Sequence, residues 1–214
     1  MMATPAGRPP ALLTAWYPHA LAVIFVVFFA VLGVAPVSRD VWVAEVIPVV
    51  IVFALLAVTF KEFRFSNLAY SLMAVWLFWH TVGGHYTFAH VPFGWVTDLF
   101  GFERNHFDRV GHFSVGLYAY PLAELVTRKR WSGPVLASFL GICFVMSIAA
   151  GYEIVEWWFA EVVGGGAGIE FLGVQGDVWD AQKDMLADTI GALAVIALFW
   201  LLRPDRHRQL REIP

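Results

Sequence analysis

The chain has 214 residues, of which 59% are hydrophobic, 16% aromatic and only 14% charged. Soluble domains carry about 25% charged residues, so the composition excludes an ordinary soluble protein and places the chain in the membrane class. The formal net charge of −3 says less than the distribution of charge does, and the single cysteine, Cys143, excludes both an intramolecular disulfide and a cysteine-cluster metal site.

A stretch of about 20 mostly apolar residues crosses a bilayer core. After an N-terminal segment at 1–16, six such stretches follow at 17–35, 41–60, 68–88, 109–126, 134–160 and 183–202, with a basic tail at 203–214. The expected fold is all-α: a polytopic membrane protein whose single domain, 17–202, is a six-helix transmembrane bundle. The first stretch is too long for a removable signal peptide and lacks its small-residue cleavage site, so it reads as a retained helix. Cys143 lies mid-span beside Phe144 and reads as inert packing.

Lys and Arg set the orientation. Arg8, Lys61, Arg64, Arg128, Lys129, Arg130, Arg203, Arg206, Arg208 and Arg211 fall on one side, against Arg39, Arg104, Arg109 and Lys183 on the other. Both termini are therefore expected in the cytoplasm. The loops 36–40, 89–108 and 161–182 are expected outside, in the periplasm of a bacterium, with the chain multi-pass in the inner membrane. The 89–107 segment carries Phe93, Trp95, Phe100, Phe102 and Phe107; 161–176 contains Gly164 to Gly166 and is flanked by Trp157, Trp158 and Trp179. Such aromatics read as interface anchors, or as part of a re-entrant lid where protein or water covers the backbone.

The ionisable residues carry the functional signal. His80, His85, Asp108, His112, Glu153, Glu156, Asp184 and Asp188 lie inside or at the ends of apolar stretches, and this topology brings all eight to the outer end. A charge in hydrocarbon costs several kcal/mol, so such residues pair, bind ions or line wet cavities. Asp108 and His112 are i, i+4 neighbours, and Glu153 and Glu156 are i, i+3 neighbours. Asp177, Asp180, Asp184 and Asp188 are spaced three, four and four, one stripe if the helix starts near Asp177. Glu45 joins them three residues before Pro48.

Carboxylates and imidazoles without thiolates suit a divalent ion such as Mg, Mn, Fe or Zn, and helices presenting Asp, Glu and His inward can hold one or two. The candidate ligands are His80, Asp108, His112, Glu153, Asp184 and Asp188. The candidate catalytic groups are His80, Arg109, Glu153, Asp184 and Asp188, with Arg109 meeting substrate. Without metal the same set would be a proton-shuttling network. Plainer readings stand beside these. Asp177 and Asp180 suit a helix cap, Asp188 a helix-to-helix hydrogen bond, Arg109 an ion pair, and His85 a loop anchor. Glu156 reads as solvated, and His90, His106, His19 and His207 as surface residues. Glu124 reads as an exposed salt bridge with the basic cluster at 128–130.

Four stretches also carry a resemblance: His80 to Tyr86, Asn105 to Phe113, Tyr152 to Trp157, and Gly176 to Asp188 with Gly191-Ala192. Through them the chain resembles the YjdF-like bacterial inner-membrane proteins from the second apolar stretch to the sixth. The resemblance implies a polytopic membrane protein with clustered polar motifs and brings no activity with it. A fainter similarity links Asp108/His112, Glu153 and Asp188/Gly191 to the VanZ-like membrane proteins.

The leading expectation is an outer-leaflet cavity performing metal-assisted hydrolysis or transfer on a lipid or polyprenyl-linked substrate. Membrane lipids are the expected partners, and nucleic acid is not one. Serine-elbow and phosphate-loop motifs are missing from the sequence. The alternatives are a proton- or cation-coupled transporter and a structural or accessory membrane subunit.

Overall fold

The computed structural model describes residues 16–202, apart from the side chains of Ala167 and Glu170. Arg8, Arg203, Arg206, Arg208 and Arg211, which enter the expected orientation, and His207 lie outside the described residues. The described residues form nine helices and no strand: α1 (Tyr17–Leu32), α2 (Arg39–Thr59), α3 (Asn67–Tyr86), α4 (Gly94–Phe100), α5 (Phe107–Gly116), α6 (Ala119–Arg128), α7 (Pro134–Val163), α8 (Gly165–Leu172) and α9 (Asp180–Leu202).

Local chemistry explains the boundaries. Ser38 and Ser66 sit in extended backbone and accept from Val41 N and Ala69 N, capping α2 and α3. Pro134 opens α7, where its missing N–H is no loss. Thr87 ends α3 in a left-handed turn at φ 56°, and Phe88 folds back so that its ring occupies the space a Cβ on Gly83 would need.

Three helices, α2, α7 and α9, are long and apolar enough to cross a membrane by length and composition. α1 is apolar but has 16 residues. α3 is more polar and buries half its length, including His80, Thr81 and the Gly83-Gly84 pair. The stretch expected as one helix at 109–126 is two, α5 and α6. Pro121 has no N–H to give the carbonyl of Leu117, and the chain tightens there. Leu117 N bonds Ser114 O at 3.2 Å and Tyr118 N bonds Val115 O at 3.0 Å. The expected outer loops carry the short helices α4 and α8. α9 starts at Asp180, so Asp177 stands in the preceding turn rather than on the helical stripe with Asp180, Asp184 and Asp188.

α3 sits at the centre, packed by α1, α2, α5 and α6, while α9 packs on α5, α6 and α7. The main core joins Tyr70, Met73, Tyr120, Val195 and Phe199. A second cluster holds Phe25, Val49, Trp76 and Leu77. A third anchors the 89–107 segment through Phe88, Val91 and Phe107. There Trp79 stacks on Phe107 at 4.2 Å and donates its indole N–H to the Phe107 carbonyl. Large apolar side chains such as Val23, Ile47, Leu136 and Phe139 are exposed around the bundle, the surface a bilayer would cover.

α5 and α9 make the closest crossing. A Cβ on Gly116 would collide with the Asp188 carbonyl and with the backbone of Gly191 and Ala192, and one on Gly191 with the Phe113 carbonyl. Backbone therefore meets backbone, as small residues allow between membrane helices. At the opposite end Glu124 corrects an expectation. It does pair with the basic cluster, through Arg128 Nη1 at 2.5 Å, but it is fully buried, not exposed. It also accepts from Ser66 N at 2.8 Å and Ser66 Oγ at 2.6 Å, tying the cap of α3 to α6.

The crossing predicts a contrast between two glycines. Gly116→Ala forces backbone apart and should cost about 1–3 kcal/mol, as overpacking does, read as a lower melting temperature in detergent. Gly151→Ala in α7 meets nothing within 4 Å and should be neutral or slightly stabilising. Equal effects would deny the crossing its role.

Candidate functional site

The close approach of α5 and α9 lays His112 against Asp188. His112 Nδ1 lies 3.0 Å from Asp188 Oδ2, with His112 7% and Asp188 0% exposed. A carboxylate only accepts, so Nδ1 carries the hydrogen of this bond and Nε2 is left facing the opposite way. Three carboxylate oxygens converge on that Nε2: Asp108 Oδ1 at 3.7 Å, Asp184 Oδ1 at 3.8 Å and Glu153 Oε1 at 4.0 Å. Donor atoms of Asp108, His112 and Asp184 all lie within 4.8 Å of one another. Glu153 Oε1, Asp184 Oδ1 and Asp188 Oδ1 are buried without a hydrogen bond. These five residues, Asp108, His112, Glu153, Asp184 and Asp188, come from α5, α7 and α9.

Arg109 closes one flank. Its Nη1 lies 2.6 Å from Asp184 Oδ1, close by distance but not aligned as a hydrogen bond. Its Nη2 donates to Asp180 Oδ1 at 2.5 Å, and Nη1 to the Asp180 carbonyl at 2.9 Å. Arg104 Nη1 reaches the same Asp180 Oδ1 at 2.5 Å. Asp180 is therefore the buried anchor of two guanidinium groups and not a simple helix cap. Asp177 accepts from Trp179 N and pairs with Lys183 Nζ at 2.7 Å; this bond holds its carboxyl below the ordinary range. His106, beside the start of α5, has its pKa lowered by burial and by the Arg104 and Arg109 charges.

His80 belongs to a second group. Its Nε2 lies 3.0 Å from the Glu45 carbonyl and 3.1 Å from Glu45 Oε2, so its nearest polar partner is Glu45 rather than the His112 set. Tyr152 donates its hydroxyl to Glu45 Oε2 at 2.7 Å. The two groups share a cavity of about 570 Å³, lined at its polar end by Glu45, His80, Asp108, His112, Tyr152, Glu156 and Asp188. Glu153 and Asp184 are not among its lining and stand behind the His112 ring. From this end the cavity runs past Trp76, Val115 and Ile148 to Phe65, Leu122 and Leu125.

Sequence reading had passed over Arg104 and Tyr152. Arg104 lies in a loop, and only its pairing with a span-entry Asp would have marked it. Tyr152 sits one position before Glu153, but its hydroxyl becomes meaningful only once Glu45 faces it from another helix. His85 is a loop anchor, with Nδ1 2.6 Å from the Leu32 carbonyl. Asn105 donates to the carbonyls of Ala89 and Val91 and exchanges bonds with Gln175, joining the two outer segments.

Asp180 and Asp177 separate a buried anchor from a solvated pair. Asp180→Asn deprives two largely buried guanidinium groups of their shared charge and should cost about 3 kcal/mol or more. Asp177→Asn should cost clearly less, because its nearest partner, Lys183, is half exposed. Melting curves in detergent for the two variants read the difference, and a larger loss for Asp177 would contradict it.

The family model described as "Predicted membrane protein (DUF2238)" matches residues 17–205. The "Inner membrane protein YjdF" of Escherichia coli (strain K12) is 38% identical over 183 residues, 84% of this chain and 86% of that protein. No solved structure matches the chain. With nearly all its length matched and apolar helices of spanning length, the chain is an integral membrane protein and belongs to the DUF2238 family, in which YjdF is a relative.

Proposed function

We propose that this protein is a metal-dependent hydrolase or transferase of the bacterial inner membrane, acting on a lipid or lipid-linked substrate. The observation that carries the reading is the convergence of Asp108, Asp184 and Glu153 oxygens on the outward-facing Nε2 of His112. Buried carboxylate oxygens without a hydrogen bond are costly. A divalent ion supplies the missing positive charge, and oxygen plus imidazole ligands suit Mg, Mn, Fe or Zn. The Asp188–His112 contact is the carboxylate–histidine arrangement that fixes the tautomer of a ligating imidazole.

The ion's contribution would be to activate water or polarise the scissile group. The protein's own groups divide the remaining work. Asp188 holds the His112 ring. Arg109 restrains Asp184 from the flank. Glu153 Oε1, buried and lacking a hydrogen bond, adds negative charge to the His112 cluster without lining the cavity. Glu45, His80 and Tyr152 form a hydrogen-bonded acid–base group on another wall of the same cavity. Coupled transport would need a polar route to the other face; the far end of this cavity is lined by Phe65, Leu122 and Leu125.

The membrane arrangement in this reading has six crossings, with α5 and α6 together making the fourth and both termini in the cytoplasm. The relative's name, an inner membrane protein, supports the location. The polar cavity then opens toward the outer leaflet.

Two measurements check these points. Purified protein should retain a roughly stoichiometric divalent metal after dialysis, and His112→Ala and Asp188→Asn should lower that content while the fold survives. Metal-free protein of full thermal stability, unmoved by added Mg, Mn, Fe or Zn, would sink the metal reading. For topology, a reporter active only in the cytoplasm should work when fused at Lys129 and fail when placed in the 161–176 loop. Activity at both places would refute the orientation.

A further inference from the structure

The cavity does more than present the polar cluster. Its floor is formed by α3, α5 and α6, and its open side lies between α2 and α7, which meet through the Tyr152–Glu45 bond at the polar end; elsewhere α2 packs on α3 and α8, and α7 on α5, α6, α8 and α9. The gap between them is edged by Ile51 and Leu55 on one side and Phe144 and Ile148 on the other, all exposed. In a bilayer those side chains face acyl chains, so the opening is lateral. From Glu45 to Thr59 the α2 edge is about 20 Å long at 1.5 Å per residue.

The lining points to the occupant's chemistry. Glu45, His80, Asp108, His112 and Tyr152 crowd one end of the groove, and Phe65, Leu122 and Leu125 line the other. A purely hydrocarbon occupant would leave the polar end unmatched; a molecule with a polar head and an apolar tail matches both ends.

We infer that the groove between α2 and α7 binds an acyl chain of a membrane amphiphile, entering sideways from the bilayer, with its head against the polar cluster. The tail site stands on the groove alone; the head group's conversion rests on the function proposed above.

The test uses the full-length protein in nanodiscs with a lysophosphatidic acid bearing a diazirine at the end of its single acyl chain. Labelling should concentrate on peptides containing Phe65, Leu122, Leu125 or Phe144. Ala149→Trp, which fills the groove from α7, should reduce it at least about tenfold, equivalent to about 1.4 kcal/mol. Ala149 is itself buried, so Leu55→Trp, on the exposed edge, serves as the second blocking variant. Labelling spread over the outer faces of α1 and α2, unchanged by either blocking variant, would overturn the tail site. Groove labelling that persists in metal-free His112→Ala protein would uphold this inference while removing the metal reading; bound metal without groove labelling would do the reverse.

Discussion

The close crossing of α5 and α9 is the constraint on which the polar site depends. Gly116 and Gly191 have no Cβ, so the two backbones touch, and His112 and Asp188 meet at 3.0 Å across the crossing. A pair held by rigid backbone can remain polar in an apolar surrounding, because its geometry does not depend on long flexible side chains. The remaining acids are then placed by helical spacing. Asp184 lies one turn before Asp188 on α9, Asp108 one turn before His112 on α5, and α7 brings Glu153 from the side.

So many carboxylates at one depth need cations, and their distribution matters. Arg104 and Arg109 both bind Asp180, at the entry of α9, with Arg109 also close to Asp184. These guanidinium groups fix the Asp180 end of α9 and leave the Nε2 side of His112 to acids. Positive charge is therefore plentiful at the rim and deficient one turn deeper. An all-structural network would give these oxygens hydrogen-bond donors; here Glu153 Oε1 and Asp188 Oδ1 have none, and Glu153 Oε1 lies 4.0 Å from His112 Nε2.

Much of this was legible in the sequence, for identifiable reasons. Buried charge in apolar stretches is rare, so Asp108, His112, Glu153, Asp184 and Asp188 stood out, and antiparallel packing was enough to bring them to one end. Helix breaks were harder. Pro121 sits within an apolar run and its effect on Leu117 is local, so α5 and α6 read as one helix. Glu124 was misjudged because charge pattern reveals a partner but not depth; Ser66, a helix cap far away in sequence, is what buries it. His80 was expected among the ligands, and its own periodicity could not disclose that Glu45 would take its nitrogen. Groove and gap were invisible, since they arise where two helices fail to pack.

That failure to pack is itself informative. A membrane bundle gains most from close helix–helix contact, and α2 and α7 forgo it along a shared length while Tyr152 and Glu45 still hold them together at one end. Had the gap been a packing defect, its walls would be expected to collapse onto one another or to be apolar throughout. Instead they carry a hydrogen-bonded carboxylate, imidazole and phenol group and the edge of the His112 cluster. Polar groups are graded along the groove, dense at one end and lacking among Phe65, Leu122 and Leu125 at the other. This gradient matches an amphiphile lying parallel to the helices, with its head among the acids and its tail toward the opposite face of the membrane.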